Sequence, residues 1–244
     1  MEIQIFCLLL CYGSMAQEDM DRSVFLFPMQ SAADYVVLTP MVTEPLRKLT
    51  VCLRSYTEGR RYAFFTTDTP NSQIHNFVFF QMPTSNCISN CPSYIYLNNA
   101  HASFNVKTDT LEWIHRCVTW DSDTGVLQLW VNGKVSPRTV LKKGFSIDLP
   151  NGITLGQMRR ASYETGWDYQ TSFHGEISDV HMWNEVLSPE TIRQVLLNNR
   201  DINGNVISWR SLKYTIKGDV TVQPKLQCRY DSESASSHYQ CSMD

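Results

Sequence analysis

The chain has 244 residues, 43% of them hydrophobic and 18% charged, with a formal net charge of −3. This is globular composition, long enough for one large β domain or two small ones. A near-neutral balance lacks the basic face that nucleic-acid binding demands, and no apolar run reaches the ~18 residues of a membrane span.

The chain opens with an apolar block, Ile3 to Leu10, then polar breakers and Ser14-Met15-Ala16 before Gln17-Glu18-Asp19. That order predicts a secretory signal over 1–16, with a small-x-small cleavage site after Ala16. Glu2 stands where such signals carry Lys or Arg, and a buried N-terminal strand is the competing reading. From 17 onward strands dominate. SVFLFP (23–28), DYVVLTP (34–40), KLTVCLRSYT (48–57), RYAFFTT (61–67), NFVFFQ (76–81), SYIYL (93–97) and SFNVK (103–107) are rich in β-branched and aromatic residues. EWIHRCVTW (112–120), a DSDTG turn and VLQLWV (126–131) form the clearest hairpin, with Leu127, Leu129 and Val131 on one face. Ser188-Pro189-Glu190 opens the one helical pattern, with Ser at the N-cap, Pro at N1 and Ile192, Val195 and Leu196 along one face. NVISWRSLKYTIKGDVTV (205–222) returns to strands, and 227–244 is a polar, Ser-rich extension expected to pack poorly. Many short strands with one helix predict an all-β, two-sheet antiparallel jelly-roll sandwich.

Loss of 1–16 removes Cys7 and Cys11 and leaves Cys52, Cys87, Cys91, Cys117, Cys228 and Cys241. An even number in a secreted chain predicts disulfides, with fifteen pairings formally open. The spacing of Cys87 and Cys91, with Pro83 and Pro92 nearby, suits a local clip on a hairpin. A zinc site is the rival, but no further Cys or His stands at motif spacing. Cys228 and Cys241 pair with each other or bridge neighbouring subunits.

The run His115-Arg116-Cys117-Val118-Thr119-Trp120 resembles the pentraxin signature, His-x-Cys-x-Ser/Thr-Trp. Gln17-Glu18-Asp19-Met20 with VFLFP, Leu155-Gly156-Gln157, Gly175-Glu176-Ile177, Met182-Trp183, Leu187-Ser188-Pro189 and Leu212-Lys213-Tyr214 match the same family in order. The resemblance covers 17–226, taken as the pentraxin domain, and is to the short pentraxins of the C-reactive protein and serum amyloid P type. It implies a lectin-like jelly roll assembled as a cyclic homopentamer, and it pairs Cys52 with Cys117. It implies two calcium ions on one face, binding phosphocholine or acidic and carbohydrate ligands. The opposite face, carrying the helix, engages complement and Fc receptors. The implied role is innate immune and acute-phase pattern recognition outside the cell.

The calcium positions depart from the family. There the loop after Leu-Gly-Gln supplies Glu-x-Asp, then an acid and a Gln, with an Asp-Asn pair from an earlier strand edge. Here Met158 and Arg160 occupy the Glu and Asp places, with Arg159 between them. Asn76, Asp168 and Gln170 remain, with Glu164 as an irregular substitute; Gln170 is one residue too close to Asp168, so Thr171 competes for its place. Calcium takes six to eight oxygens, several from carboxylates. One Arg about 5 Å from the ion repels it by roughly 6–7 kcal/mol at an effective dielectric near 20, less when the guanidinium swings to solvent. The expectation is weak or absent calcium binding, with Arg159 and Arg160 reaching Asp168 or Glu164 instead. His101 falls where phosphocholine-binding members place the choline-facing Glu.

Catalysis is not expected. A jelly-roll glycosidase needs paired carboxylates, whereas the stretch Glu176–Val180 offers one acid on the Glu176 face, and His115 has no evident nucleophile partner. The two functions in contention are ligand recognition and a structural or oligomerisation role without a small ligand.

Overall fold

The computed structural model describes residues 17–67, 74–83, 90–107, 112–149, 152–159, 166–230 and 239–243, with backbone alone at 90, 107, 227–230 and 239–243. Residues 1–16, on which the expected secretory signal falls, Cys87, Arg160 and Glu164 lie outside them.

Seventeen strands are described: β1 (Ser23–Phe27), β2 (Tyr35–Leu38), β3 (Lys48–Tyr56), β4 (Tyr62–Thr66), β5 (Phe77–Gln81), β6 (Asn90–Leu97), β7 (Ala100–Lys107), β8 (Ile114–Asp121), β9 (Val126–Val131), β10 (Lys134–Val135), β11 (Thr139–Val140), β12 (Ile153–Leu155), β13 (Gly175–Trp183), β14 (Tyr214–Lys217), β15 (Thr221–Pro224), β16 (Leu226–Tyr230) and β17 (Tyr239–Met243). One helix, α1 (Pro189–Leu196), follows β13. Sheet one runs β10-β9-β8-β3-β13-β1-β15, with β11 also on β9; sheet two runs β14-β2-β12-β4-β5-β6-β7. Every pairing is antiparallel, and the two sheets form the predicted jelly-roll sandwich. Among the described residues no helix is long and apolar enough to cross a membrane.

The strand patterns in the sequence map onto this sandwich because alternate residues enter the core. Phe25 and Phe27 of β1, Leu49, Val51 and Leu53 of β3, and Leu127 and Leu129 of β9 are all buried in one continuous cluster between the sheets. In β4 the register slips between Ala63 and Phe65 against β5. Such a bulge re-aims side chains, and both Phe64 and Phe65 join the core while Ala63 lies in a separate cluster with Phe80. Helix α1 is capped as its sequence dictates, Ser188 Oγ accepting from Thr191 N at 3.1 Å. Ile192 and Val195 pack it on Cys52, Cys117, Trp130 and Trp183 of sheet one.

The extension carries paired backbone. Residues assigned to a poorly packed tail pair as β16 and β17, a two-stranded sheet of their own. The Ser-rich composition that argued against structure is concentrated at 231–238, between the two strands, and the strand-forming residues flank it.

Candidate functional site

An outward-facing strand position in a sandwich normally carries a polar side chain. Sheet two departs from that rule. Val78 and Phe80 of β5 point away from the core and cluster with Ala63 and Met158, against which Met82, Tyr94 and Tyr96 pack. Strands β6 and β7 meet at a two-residue turn, Asn98 and Asn99, whose φ values are +44° and +62°. Asn is among the few residues that accept this left-handed geometry, and the turn's twist matches the flanking strands. The register it fixes sets Tyr96 directly opposite His101. The two rings stack at 5.0 Å and 27°, Phe80 stacks on Tyr94 at 5.2 Å and 15°, and His75 meets Tyr96 edge-on at 5.4 Å. The result is an aromatic shelf with Phe80 buried at its floor and His101 exposed at its edge. Burial and the neighbouring Tyr94 raise the Tyr96 phenol above its ordinary pKa, so it is a neutral donor.

The loop that delivers Met158 to this shelf starts at Gly156, whose φ is +83° and where a Cβ would lie 2.5 Å from the Phe27 ring. Only glycine fits there. Gln157 follows, fully buried, donating from Nε2 to the carbonyls of Ser31 at 2.6 Å and Asp34 at 2.9 Å. It anchors the loop. Met158 is buried against Phe80, where it supplies a thioether to an apolar floor.

The remaining calcium-type residues are engaged with the protein. Asp168 caps the short 3₁₀ turn Tyr169–Thr171, accepting from Gln170 N and Thr171 Oγ1, each at 3.1 Å. The amide oxygen of Gln170 accepts from the Arg61 guanidinium at 2.8 Å. Asn76 donates from Nδ2 to Thr67 Oγ1 at 3.1 Å and to the Asp148 carbonyl at 2.8 Å. Arg159 is buried, its backbone bridged to Trp167 and its Nε without a partner; it makes no ion pair with Asp168. That corrects the expected Arg159–Asp168 pair. The physical reason is local: the Gln170 N–H and the Thr171 hydroxyl lie two and three residues away and are satisfied with little ordering cost. The pairings expected of Arg160 and Glu164 lie outside the described residues.

The signature residues sit on the other side of the molecule and are structural. His115, Cys117, Thr119 and Trp120 are all buried in β8, and Trp120 Nε1 donates to the Leu141 carbonyl at 2.9 Å. Cys52 and Cys117 are direct partners of β3 and β8 and are joined as a disulfide. With His115 they form the one trio of metal-type ligand atoms within 4.8 Å of one another among the described residues, but the disulfide removes the thiolates a metal would need. Cys91 is also in a disulfide, its partner lying outside the described side chains.

A buried ionic group, not anticipated from the sequence, lies behind the helix. The β13 ladder against β3 is interrupted between Ser178 and His181, and Asp179 sits there at φ +52°. Its carboxylate takes an ion pair from Lys225 and a second from Arg54 at 3.2 Å. Burial alone would raise this carboxyl; Lys225, Arg54 and the Ser178 hydroxyl outweigh it and hold the pKa below the ordinary range. Burial pushes His115 down to about 3 and His181 to about 4, so both imidazoles are neutral.

Comparison with known proteins places the chain. The Pentaxin family model matches residues 23–224. The C-reactive protein of Xenopus laevis is 48% identical over 219 residues, 89% of each chain, and the serum amyloid P-component of Bos taurus is 35% identical over 210 residues, 86% of this chain and 90% of its own. Among solved structures, the native heptameric SAP-like pentraxin from Limulus polyphemus superposes with a TM-score of 0.70 at 22% identity, covering 85% of this chain and 97% of that one. The relatives are binding proteins and not enzymes. With the family model matched over residues 23–224 and a relative 48% identical over 89% of its length, the chain belongs to the pentraxin family.

Proposed function

We propose that this chain is a secreted pattern-recognition protein of innate immunity whose recognition face works without the family's calcium pair. The leader at 1–16 is removed, residues 17–226 form the recognition domain, and the domain assembles as a cyclic homopentamer. Backbone ties from Glu18 to Leu212 at 2.9 and 2.8 Å support a mature start at Gln17, since they fix that end within the fold.

The observation that carries the calcium reading is the Arg61–Gln170 contact, which puts a guanidinium on an oxygen the ion would need. Met158 in the apolar floor and Asp168 in a turn cap add to it. In place of an ion, sheet two offers stacked rings, and Arg61, two residues before Ala63 of that cluster, offers a fixed positive charge. Flat apolar faces stack on sugar rings, and the guanidinium binds sulfate, phosphate or carboxylate in bidentate fashion. The ligand class is an anionic or carbohydrate surface, bound without calcium and weakened by salt.

Two measurements on the purified chain test this. Calorimetry with calcium chloride should show no binding at about 10⁻³ M, the weak end of extracellular calcium modules. A sulfated polysaccharide should bind in the presence of a chelator and be released as salt rises. Calcium binding tighter than that limit and abolished by Asp168→Ala would overturn the reading. Equal polysaccharide binding by wild type and Tyr96→Ala would remove the aromatic shelf from it.

A further inference from the structure

We propose that Cys228 and Cys241 form a disulfide within one chain, closing the C-terminal extension into a covalent hairpin. The observation is one of register. β16 and β17 pair antiparallel over five positions, from Leu226 opposite Met243 to Tyr230 opposite Tyr239, and the central pair is Cys228 opposite Cys241. Facing residues of an antiparallel ladder have Cα atoms about 4.5 or 5.5 Å apart, according to the type of pair. Both values fall in the range of about 4.4–6.8 Å that a disulfide spans. The register therefore sets the two Cα positions within the separation that a disulfide spans.

A second observation explains why such a bond is needed. Among the described residues β16 and β17 pair with no other strand. An isolated two-stranded hairpin is marginal in water, and this one is joined through eight mostly polar residues at 231–238. Its base is fixed: Lys225, immediately before β16, is buried, donates its N–H to the Arg22 carbonyl at 2.8 Å and pairs with Asp179. The two cysteines thus leave a rigid anchor on one short strand and its partner, and their effective concentration exceeds that of any cysteine on another subunit. Cys52 and Cys117 are already joined to each other and Cys91 to another partner, which local spacing assigns to Cys87.

The chemistry is thiol–disulfide exchange. A thiolate at one cysteine attacks a disulfide donor and forms a mixed disulfide, and the second thiolate displaces the donor. Two thiols lose two protons and two electrons, and the donor leaves as a dithiol or, for glutathione disulfide, as two thiols. The proposed secretion supplies that oxidant in the cell; refolding in a glutathione redox couple tests the pairing independently of it.

Trypsin cleaves after Lys225 and Arg229, separating 226–229 from 230–244. Digestion of the full chain without reductant, both secreted and glutathione-refolded, should yield these two peptides as one linked species. The undigested chain should run as a monomer on a denaturing gel, and Cys241→Ser should expose one new free thiol. Linkage of either peptide to itself, to a Cys87 or Cys91 peptide, or a covalent dimer lost in Cys241→Ser, would overturn the proposal, as would recovery of both as free thiols. Mild reduction should part this pair before Cys52–Cys117, which is fully buried; the opposite order would show that the extension is shielded by a contact the hairpin does not explain.

Discussion

His115 and His181 carry the pH response of the fold. Each is about one-twentieth exposed or less, and burial lowers both, His115 from 6.5 to about 3 and His181 from 6.5 to about 4. The unfolded chain therefore binds these protons first as pH falls. Stability is flat above about 6.5 and declines below it, with a slope of at most about 1.4 kcal/mol per pH unit for each imidazole. Asp179, lowered by its cations, adds its own loss only below the ordinary carboxylate range, so the two effects are separable. Urea midpoints measured from pH 7.5 to 5 should fall, and His181→Asn should flatten part of that fall. A constant midpoint over this window would mean that neither ring is buried neutral. The residue scale also bears on the proposed function: Met158 is one side chain, yet it packs with Phe80 as part of an apolar floor.

At the scale of elements, the β6–β7 hairpin shows how a turn builds a site. Asn98 and Asn99 hold positive φ, and that turn alone decides that Tyr96 faces His101 and not a neighbour one residue away. Asn98→Val places a β-branched residue in left-handed geometry and should cost about 1–2 kcal/mol. Asn98→Gly should be nearly neutral, because glycine accepts the same φ. Thermal unfolding of the two variants checks this, and equal losses would show that the Asn98 side chain matters more than its backbone. Helix α1 illustrates the opposite case, since its cap, its proline and its apolar face are all local features and all appear where its sequence puts them.

The whole molecule separates two faces. Sheet one carries α1 over the Cys52–Cys117 bond, while sheet two carries the aromatic shelf on its outer side, so the faces are divided by the core. The disulfide joins residues 65 apart in sequence on adjacent strands. Closing a span of that length contributes about 4 kcal/mol by restricting the unfolded chain. The double variant Cys52→Ala, Cys117→Ala should lose stability of that order while keeping the same strand content by circular dichroism. A loss below about 1 kcal/mol would indicate an unfolded state already compact enough to make the link redundant.

The strands β1 to β9, the helix with its cap and the signature of β8 were legible in the sequence, because alternation, turn residues and capping are local and repeat along the chain. The positions of Met158, Asp168, Gln170 and Asn76 were legible too, as places the resemblance compares with a calcium site. What those residues do was not. Arg61 lies 109 residues from Gln170 in sequence, and the contact between them exists only once β4 lies beside the 3₁₀ turn. Lys225, Arg54 and Asp179 come from three separate strands or their ends, joined at an interruption in β13 that no local pattern announces. Burial determines their ionisation, and burial is a property of the packed sandwich, decided by every strand that covers them.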